Sequence, residues 1–210
     1  MSLEIHNLVV SPFAQNCSLI ACSETREAML VDPGDEAGNI LSQVASKGYK
    51  LKWIMATHGH LDHISAVFEL QNRTGLPFYI HEKEKMILEM LPAAQTFYGF
   101  GDGKQPKVDG WLSPKETYQL GTLTFKVIET PGHTPGGVCF HFGDHIFVGD
   151  TLFQGSIGRT DLPGGDYDTL IRSIQTQLWP LDETLIVHSG HGATTTIGVE
   201  KRTNPFVNPC

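Results

Sequence analysis

The sequence lacks a long apolar segment and is poor in positive charge. None of its 210 residues lies in a stretch of membrane-spanning length, and the amino terminus, Met1 to His6, has no basic segment followed by a long apolar one. Fifteen Lys and Arg residues stand against 23 Asp and Glu residues, and the net charge of −8 argues against nucleic acid or an anionic membrane as the main partner. We therefore expect a cytoplasmic protein that binds neither.

Cysteine is also scarce. The four cysteines, Cys17, Cys22, Cys139 and Cys210, form no Cys-x-x-Cys pair. Cys17 and Cys139 lie in strand-like apolar segments, so the pattern indicates buried free thiols.

The remaining composition predicts one domain over residues 1–210. The chain is 40% hydrophobic and 18% charged, long enough for a sizeable core, and no linker divides it. Strands followed by helices recur in each half, which predicts a two-layered α/β (α+β) domain with a weak internal repeat, and a monomer is favoured. Strands are predicted near residues 4–10, 18–22, 28–31, 52–55 and 78–80 and again between 116 and 148, and helices near 37–47, 63–73, 82–90, 167–177 and 194–202.

The most informative segment is Thr57-His58-Gly59-His60-Leu61-Asp62-His63. His58 and His60 are two positions apart, so in extended backbone both imidazoles point to the same side and can bind one cation. Asp62 and His63 follow where a helix is predicted to begin, and the change of direction aims them at a neighbouring point. Imidazole and carboxylate ligands suit zinc, and also iron or manganese. The segment therefore predicts a metal site, and two metals are plausible.

Three later turns place a metal-type ligand directly after a predicted strand. They are Pro131-Gly132-His133-Thr134, Gly149-Asp150-Thr151 and Gly190-His191-Gly192. Taken singly, each side chain is explained equally well by ordinary turn chemistry. Together with the histidine cluster, they favour loops at one edge of a sheet that present a shared site.

These motifs, in this order, resemble the metallo-β-lactamase superfamily over nearly the whole chain. Asp62-His63, the segment Gly149 to Phe153 and the run Gly158-Arg159-Thr160-Asp161 resemble the short bacterial type II glyoxalases, the hydroxyacylglutathione hydrolases. The resemblance implies a four-layer αββα sandwich with the site along one edge of two packed sheets. It also implies that one metal is bound by His58, His60 and His133, that a second is bound by Asp62, His63 and His191, and that Asp150 bridges the two.

The implied reaction is metal-dependent hydrolysis of a glutathione thioester, S-D-lactoylglutathione or a related S-acylglutathione. This is the second step of methylglyoxal detoxification. Two divalent cations, zinc above all, would activate water and hold the oxyanion of the attacked carbonyl, with Asp62 and Asp150 as the catalytic carboxylates. Thiolate is a good leaving group, so we predict neither a Ser-His-Asp triad nor a catalytic cysteine.

The chain departs from the longer glyoxalases where they bind glutathione. It ends at Cys210 without their C-terminal helical domain, and it has Asp161 and Ala193 where those enzymes have tyrosines. Arg159 is a candidate to bind a glutathione carboxylate, and an equally good candidate to tie down its own loop through Asp161 or Asp166.

Two further expectations concern the surroundings of the site. Asp32 is predicted to hold a ligand histidine from outside, although a turn role after its strand explains it nearly as well. The loop from Gly99 to Gly110 is predicted to overhang the site as a flap, with Phe97, Tyr98 and Phe100 as apolar contacts.

Other functions use the same motifs. Glutathione persulfide dioxygenases resemble this chain, including the Gly-Arg-Thr-Asp run, and bind a single iron through the equivalents of His58, His133 and Asp150. A β-lactamase is disfavoured because Asp62-His63 with a bridging Asp150 is the pattern of the hydrolases rather than the usual cysteine-bearing one. Metal storage or sensing is disfavoured because such a function has no use for a site that is open to water.

Overall fold

Two β-sheets form the centre of the protein. The structure is a computed structural model, and it describes residues 2–100 and 103–207. In the first sheet the strands follow chain order: β1 (Leu3–Val10), β2 (Gln15–Cys22), β3 (Glu27–Val31), β4 (Lys50–Met55), β5 (Phe78–His81) and β6 (Gly110–Leu112). The second sheet has the order β14-β13-β10-β9-β8-β7, from strands β7 (Thr117–Leu120), β8 (Leu123–Glu129), β9 (Val138–Phe142), β10 (His145–Gly149), β13 (Ile186–Ser189) and β14 (Thr195–Thr196). A short hairpin of β11 (Leu152–Phe153) and β12 (Ser156–Ile157) follows β10.

Helices lie between the strands in both halves of the chain. The first half contains α1 (Ala37–Lys47), α2 (Leu61–Ile64), α3 (Val67–Thr74) and α4 (Lys85–Tyr98), the last preceded by a 3₁₀ turn at Glu82–Glu84. The second half contains α5 (Tyr167–Ser173), extended by a π-helical turn at Ile174–Leu178, and α6 (Ile197–Thr203).

Alternation along the strands divides the buried apolar side chains among three hydrophobic clusters, one between the sheets and one between each sheet and its helices. In β3, Leu30 packs with residues of α1, α3 and α4, whereas Met29 faces the other sheet. In β10, Phe147 faces the first sheet, whereas Ile146 packs with residues of α5 and α6. Because successive strand residues point to opposite faces, both sheets are covered on both sides. The predicted αββα sandwich is confirmed.

Three predicted local features differ from the structure. The helix predicted near 63–73 is two helices, α2 and α3, and the helix predicted to end near Met90 continues through Pro92 to Tyr98. Residues 101 and 102 of the predicted flap lie outside the described residues. None of its described residues lines the cavity beside His133, and its Lys107 exchanges two hydrogen bonds with Gln71 of α3. Of the predicted apolar contacts, Tyr98 lines that cavity, whereas Phe97 is 82% exposed.

The cysteines and the apolar segments were both subjects of prediction. Cys17, Cys22 and Cys139 are buried and free, as predicted, and Cys210 lies outside the described residues. Within the described part of the chain, no helix combines the length and the apolar character that a membrane span requires.

Candidate metal centre

The seven predicted ligands lie in segments that follow strand ends, five in turns and two, Asp62 and His63, in α2. His58, His60, Asp62 and His63 come after β4, and the other three follow β8, β10 and β13. Gly149 lets the chain turn at the end of β10: its φ is +51°, and a Cβ there would lie 2.2 Å from Oγ1 of Thr57. A side chain at this position would push apart the two turns that carry the donors.

His58, His60 and His133 form a first group. Nε2 of His133 lies 3.2 Å from Nε2 of His58 and 2.9 Å from Nδ1 of His60. Donor atoms that share one tetrahedral zinc, with bonds of about 2.0–2.1 Å, lie roughly 3.3 Å apart. The spacing of these nitrogens therefore fits a shared cation.

Asp62, His63 and His191 form a second group beside it. Nε2 of His191 lies 3.1 Å from Oδ2 of Asp62, and Nε2 of His63 lies 3.8 Å from the same oxygen. Asp150 lies between the groups: its Oδ1 is 3.3 Å from Nε2 of His63, and its Oδ2 is 3.6 Å from His191 and 3.7 Å from His133. One carboxylate thus reaches both sets of donors.

Asp32 organises the floor of the site. Its carboxylate accepts hydrogen bonds of 2.6 Å from both the backbone N–H and the hydroxyl of Thr57, and it lies 3.0 Å from Nδ1 of His63. The Thr57 oxygen is in turn 3.1 Å from Nδ1 of His58. Because these oxygens accept the Nδ1 protons, both imidazoles present Nε2 to the centre, and the predicted outer role of Asp32 agrees with this geometry.

Backbone carbonyls orient two more of the histidines. Nδ1 of His133 lies 2.7 Å from the carbonyl oxygen of Arg159, and Nδ1 of His191 lies 3.1 Å from that of Phe13. Each ring thus donates its Nδ1 proton outward and turns Nε2 inward. The orientation of four of the five histidines is fixed before any cation binds.

Burial and neighbouring charges set the protonation states. Burial lowers the pKa of His58 well below its usual range and that of His60 to about 3, so both rings are neutral. Burial also acts on His63, but the carboxylates of Asp150 and Asp62 raise its pKa well above its usual range. Burial opposes ionisation of Asp150, yet His63, His133 and His191 hold its pKa far below the usual range. Neutral imidazole and ionised carboxylate are the forms that bind metals.

Nε2 of His63 and Oδ1 of Asp150 are buried and face each other at 3.3 Å, but neither atom makes a hydrogen bond. Buried polar groups are costly unless they are well paired, and a cation between these two atoms would bind both. The donor atoms of each of three sets lie within 4.8 Å of one another: His58, His60 and His133; His58, His63 and Asp150; and Asp62, His63 and His191. This donor set and the fold fit two divalent cations.

Glu84 is a functional candidate that sequence analysis missed. It is fully buried, and its Oε2 accepts a 2.8 Å hydrogen bond from the N–H of Gly59 while its Oε1 accepts one of 2.6 Å from the N–H of Gly136. Burial raises the pKa of this carboxyl against the effect of these donors. One side chain thus joins the turn that carries His58 and His60 to the turn that carries His133.

A cavity of about 500 Å³ opens beside the donors and is lined by His60, Asp62, His133, Asp150 and His191. Its other walls are mostly apolar and come from α4, Phe13 and the loop that follows Arg159. Arg159 reaches the cavity, but its guanidinium donates two 2.7 Å hydrogen bonds to the carboxylate of Asp161. The structure therefore shows the loop-tying contact that was one of the two predictions for this residue.

Comparison with known proteins agrees with the geometry. Residues 10–191 match the family described as the metallo-β-lactamase superfamily. The chain is 42% identical to hydroxyacylglutathione hydrolase GloC of Haemophilus influenzae, and the match covers 99% of each chain.

Two solved structures share the fold at 36% identity. One is BLEG-1, a B3 metallo-β-lactamase, with a TM-score of 0.89 over 98% of this chain and 100% of the other. The other is TTHA1623 in a di-iron-bound form, with a TM-score of 0.86 over 96% and 99%. The family and these relatives confirm the prediction of a metallohydrolase enzyme. The chain belongs to the metallo-β-lactamase superfamily.

Proposed function

We propose that the protein hydrolyses the thioester of S-D-lactoylglutathione and related S-acylglutathiones, releasing glutathione and the free acid. The observation that carries the proposal is the convergence of seven donors in two groups joined by Asp150, at the floor of a cavity large enough for a substrate of this size. The 42% identity to a hydroxyacylglutathione hydrolase supports the substrate class. A cytoplasmic location is part of the same proposal.

The metal ligands are assigned as the sequence resemblance implies. His58, His60 and His133 would hold one cation, Asp62, His63 and His191 would hold the other, and Asp150 would contribute to both. Zinc is the proposed metal, with iron or manganese as alternatives for the same ligands. Two bound divalent cations lower the pKa of water and offset the negative charge that develops on an attacked carbonyl oxygen.

The residues of the chain prepare this chemistry. Burial opposes ionisation of Asp62, but its contacts with His63 and His191 keep its pKa below the usual range, so its carboxylate is ionised and can orient an attacking water as a hydrogen-bond acceptor. Asp32 holds His63, and the carbonyl of Arg159 holds His133, so both rings keep their Nε2 atoms on the centre. The thiolate leaves without a dedicated acid, because its conjugate thiol is already acidic enough.

The test is loss of thioester absorbance when the zinc-reconstituted protein meets S-D-lactoylglutathione. Asp150→Ala should abolish turnover, since each group of donors loses its shared carboxylate. Asp144→Ala is the matched control, because its side chain is 82% exposed in the turn between β9 and β10, and it should keep full activity. Turnover that survives in Asp150→Ala would contradict the mechanism.

Two other activities are separate arms of this experiment. Oxygen uptake by the iron-reconstituted protein with glutathione persulfide, without thioester hydrolysis, would assign a dioxygenase instead. A single iron on His58, His133 and Asp150 would, however, leave the converging Asp62, His63 and His191 without a role. Hydrolysis of a chromogenic cephalosporin in place of the thioester would assign a β-lactamase.

A further inference from the structure

One face of α4 forms an apolar wall beside the donors. Five residues at helical spacing line the cavity from this helix: Ile87, Met90, Leu91, Ala94 and Tyr98. We call these five residues the α4 wall. Met90 is 44% exposed and Tyr98 is 56% exposed, so part of this apolar surface faces solvent. Exposed apolar surface beside a cavity is typical of a ligand-binding site.

The α4 wall is continuous with the candidate metal centre. A Cβ placed on Gly59, between His58 and His60, would lie 3.2 Å from Cγ2 of Ile87. At the other end, Phe13 extends the wall: its ring lies 6.1 Å from that of Tyr98, and its carbonyl oxygen holds His191. A substrate whose carbonyl reaches the donors therefore contacts this apolar surface with its adjoining atoms.

The charges around the cavity do not match the carboxylates of glutathione. Among the described residues that line it, Arg159 is the sole Lys or Arg side chain, and Asp161 occupies its guanidinium. Asp62 and Asp150 add negative charge on the floor. Glutathione carries two carboxylates and gains nothing from an apolar wall, whereas the acyl group of a thioester is neutral and free to vary in length.

We infer that the α4 wall binds the acyl group, and that the preferred substrates of this site are thioesters with an apolar acyl chain of several carbons. The inference rests on the proposed thioester hydrolysis and specifies its substrate class. Burial of a methylene is worth about 0.8 kcal/mol, and an acyl chain lying against Met90 and Tyr98, which are about half-exposed, would bury about half of each methylene. We therefore expect kcat/KM to rise roughly twofold for each methylene added. D-lactoyl, short and polar, is then an accepted but inferior acyl group.

The experiment measures kcat/KM for S-acetyl-, S-butanoyl-, S-hexanoyl- and S-D-lactoylglutathione. Met90→Gln should lower kcat/KM for the hexanoyl ester about fivefold more than for the acetyl ester. Met86→Gln is the matched control, since Met86 lies on the same helix, is 43% exposed and does not line the cavity. It should behave as the wild type with every ester.

Binding gives a second readout that does not depend on turnover. The metal-free protein should bind S-hexylglutathione about 30-fold more tightly than S-methylglutathione by calorimetry, with a negative heat-capacity change, and Met90→Gln should reduce this difference about fivefold. The acetyl thioesters of N-acetylcysteamine and of hexanethiol vary the thiol half of the substrate instead of the acyl half. If kcat/KM depends on the length of the thiol half alone, the assignment of the α4 wall to the acyl group is wrong.

The two proposals fail differently. If acetyl and D-lactoyl esters are hydrolysed as well as the hexanoyl ester, the inference about the wall is wrong while the hydrolase assignment stands. If no thioester is hydrolysed, the proposed function is wrong, and equal binding of the two thioethers would overturn the wall as well.

Discussion

Removal of the Glu84 carboxylate should loosen the candidate metal centre without touching a ligand. In Glu84→Ala, the N–H groups of Gly59 and Gly136 lose their acceptors in a fully buried place. An unsatisfied buried donor costs about 1–3 kcal/mol, so the two together cost roughly 2–6 kcal/mol of unfolding free energy. In Glu84→Gln the amide oxygen can still accept from one of the two backbone N–H groups, but the amide NH₂ lies against the other. We therefore expect about half of this loss of unfolding free energy.

Metal affinity should fall selectively in the same variants. Glu84 accepts from the N–H of Gly59, between His58 and His60, and from that of Gly136, after His133, so its loss should act first on this group of donors. Competition with a chromogenic chelator should therefore show one weakened zinc and one nearly unchanged zinc per chain, and urea unfolding should show the loss of stability.

Glu82→Gln is the control for this prediction. Glu82 lies two positions earlier and its side chain is 63% exposed, so stability should change by less than about 0.5 kcal/mol and metal affinity should not change. The reasoning is refuted if Glu84→Gln matches the wild type in both assays, or if both zinc ions weaken equally.

Three further predictions concern protons and the outer contacts of the site. Asp32→Asn should weaken zinc binding by about 10–100-fold, because it disturbs the contacts that orient His63, and unchanged affinity in chelator competition would contradict this. The pKa of His63 lies above its usual range, so zinc binding at neutral pH should release a proton from this ring. Calorimetry in buffers of different ionisation enthalpy measures the number of protons released, and a value of zero would refute the assigned protonation. His188 is largely buried against Phe147, and burial lowers its pKa to about 4, so the wild type should lose roughly 2 kcal/mol of stability as pH falls from 6.5 to 4. His188→Phe should lack that part of the acid loss in urea unfolding, and identical pH profiles would contradict the assignment.

The residues of the metal centre could be predicted because each carries its own local signal. His58 to His63 form a dense cluster, and His133, Asp150 and His191 each follow an apolar run in a glycine-containing turn. The four-layer order was implied by the family resemblance, because the recurrence of strands and helices alone predicted only two layers. The structure brings all seven predicted side chains together.

Glu84 gave no such signal. It stands in Glu82-Lys83-Glu84-Lys85, which has the composition of a solvated helix start. Its partners Gly59 and Gly136 are 25 and 52 positions away, so only tertiary packing shows that this one carboxylate is buried.

The length of α4 was underestimated for a different reason. In a local sequence pattern, proline predicts the end of a helix. The helix continues through Pro92 because buried side chains anchor it before the proline, at Leu88 and Leu91, and after it, at Gln95. The additional turns carry Ala94 and Tyr98, which are part of the α4 wall.

The donors are widely separated along the chain, and this imposes an order on the assembly of the protein. His58 and His133 are 75 positions apart, and Phe13, whose carbonyl holds His191, is 178 positions from it. Such distant segments meet only after large loops have closed, and loop closure of this kind is slow. Neither half of the chain contains a complete set of the proposed donors, so the site is complete only after both sheets have docked, and tight cation binding is expected only in the folded protein.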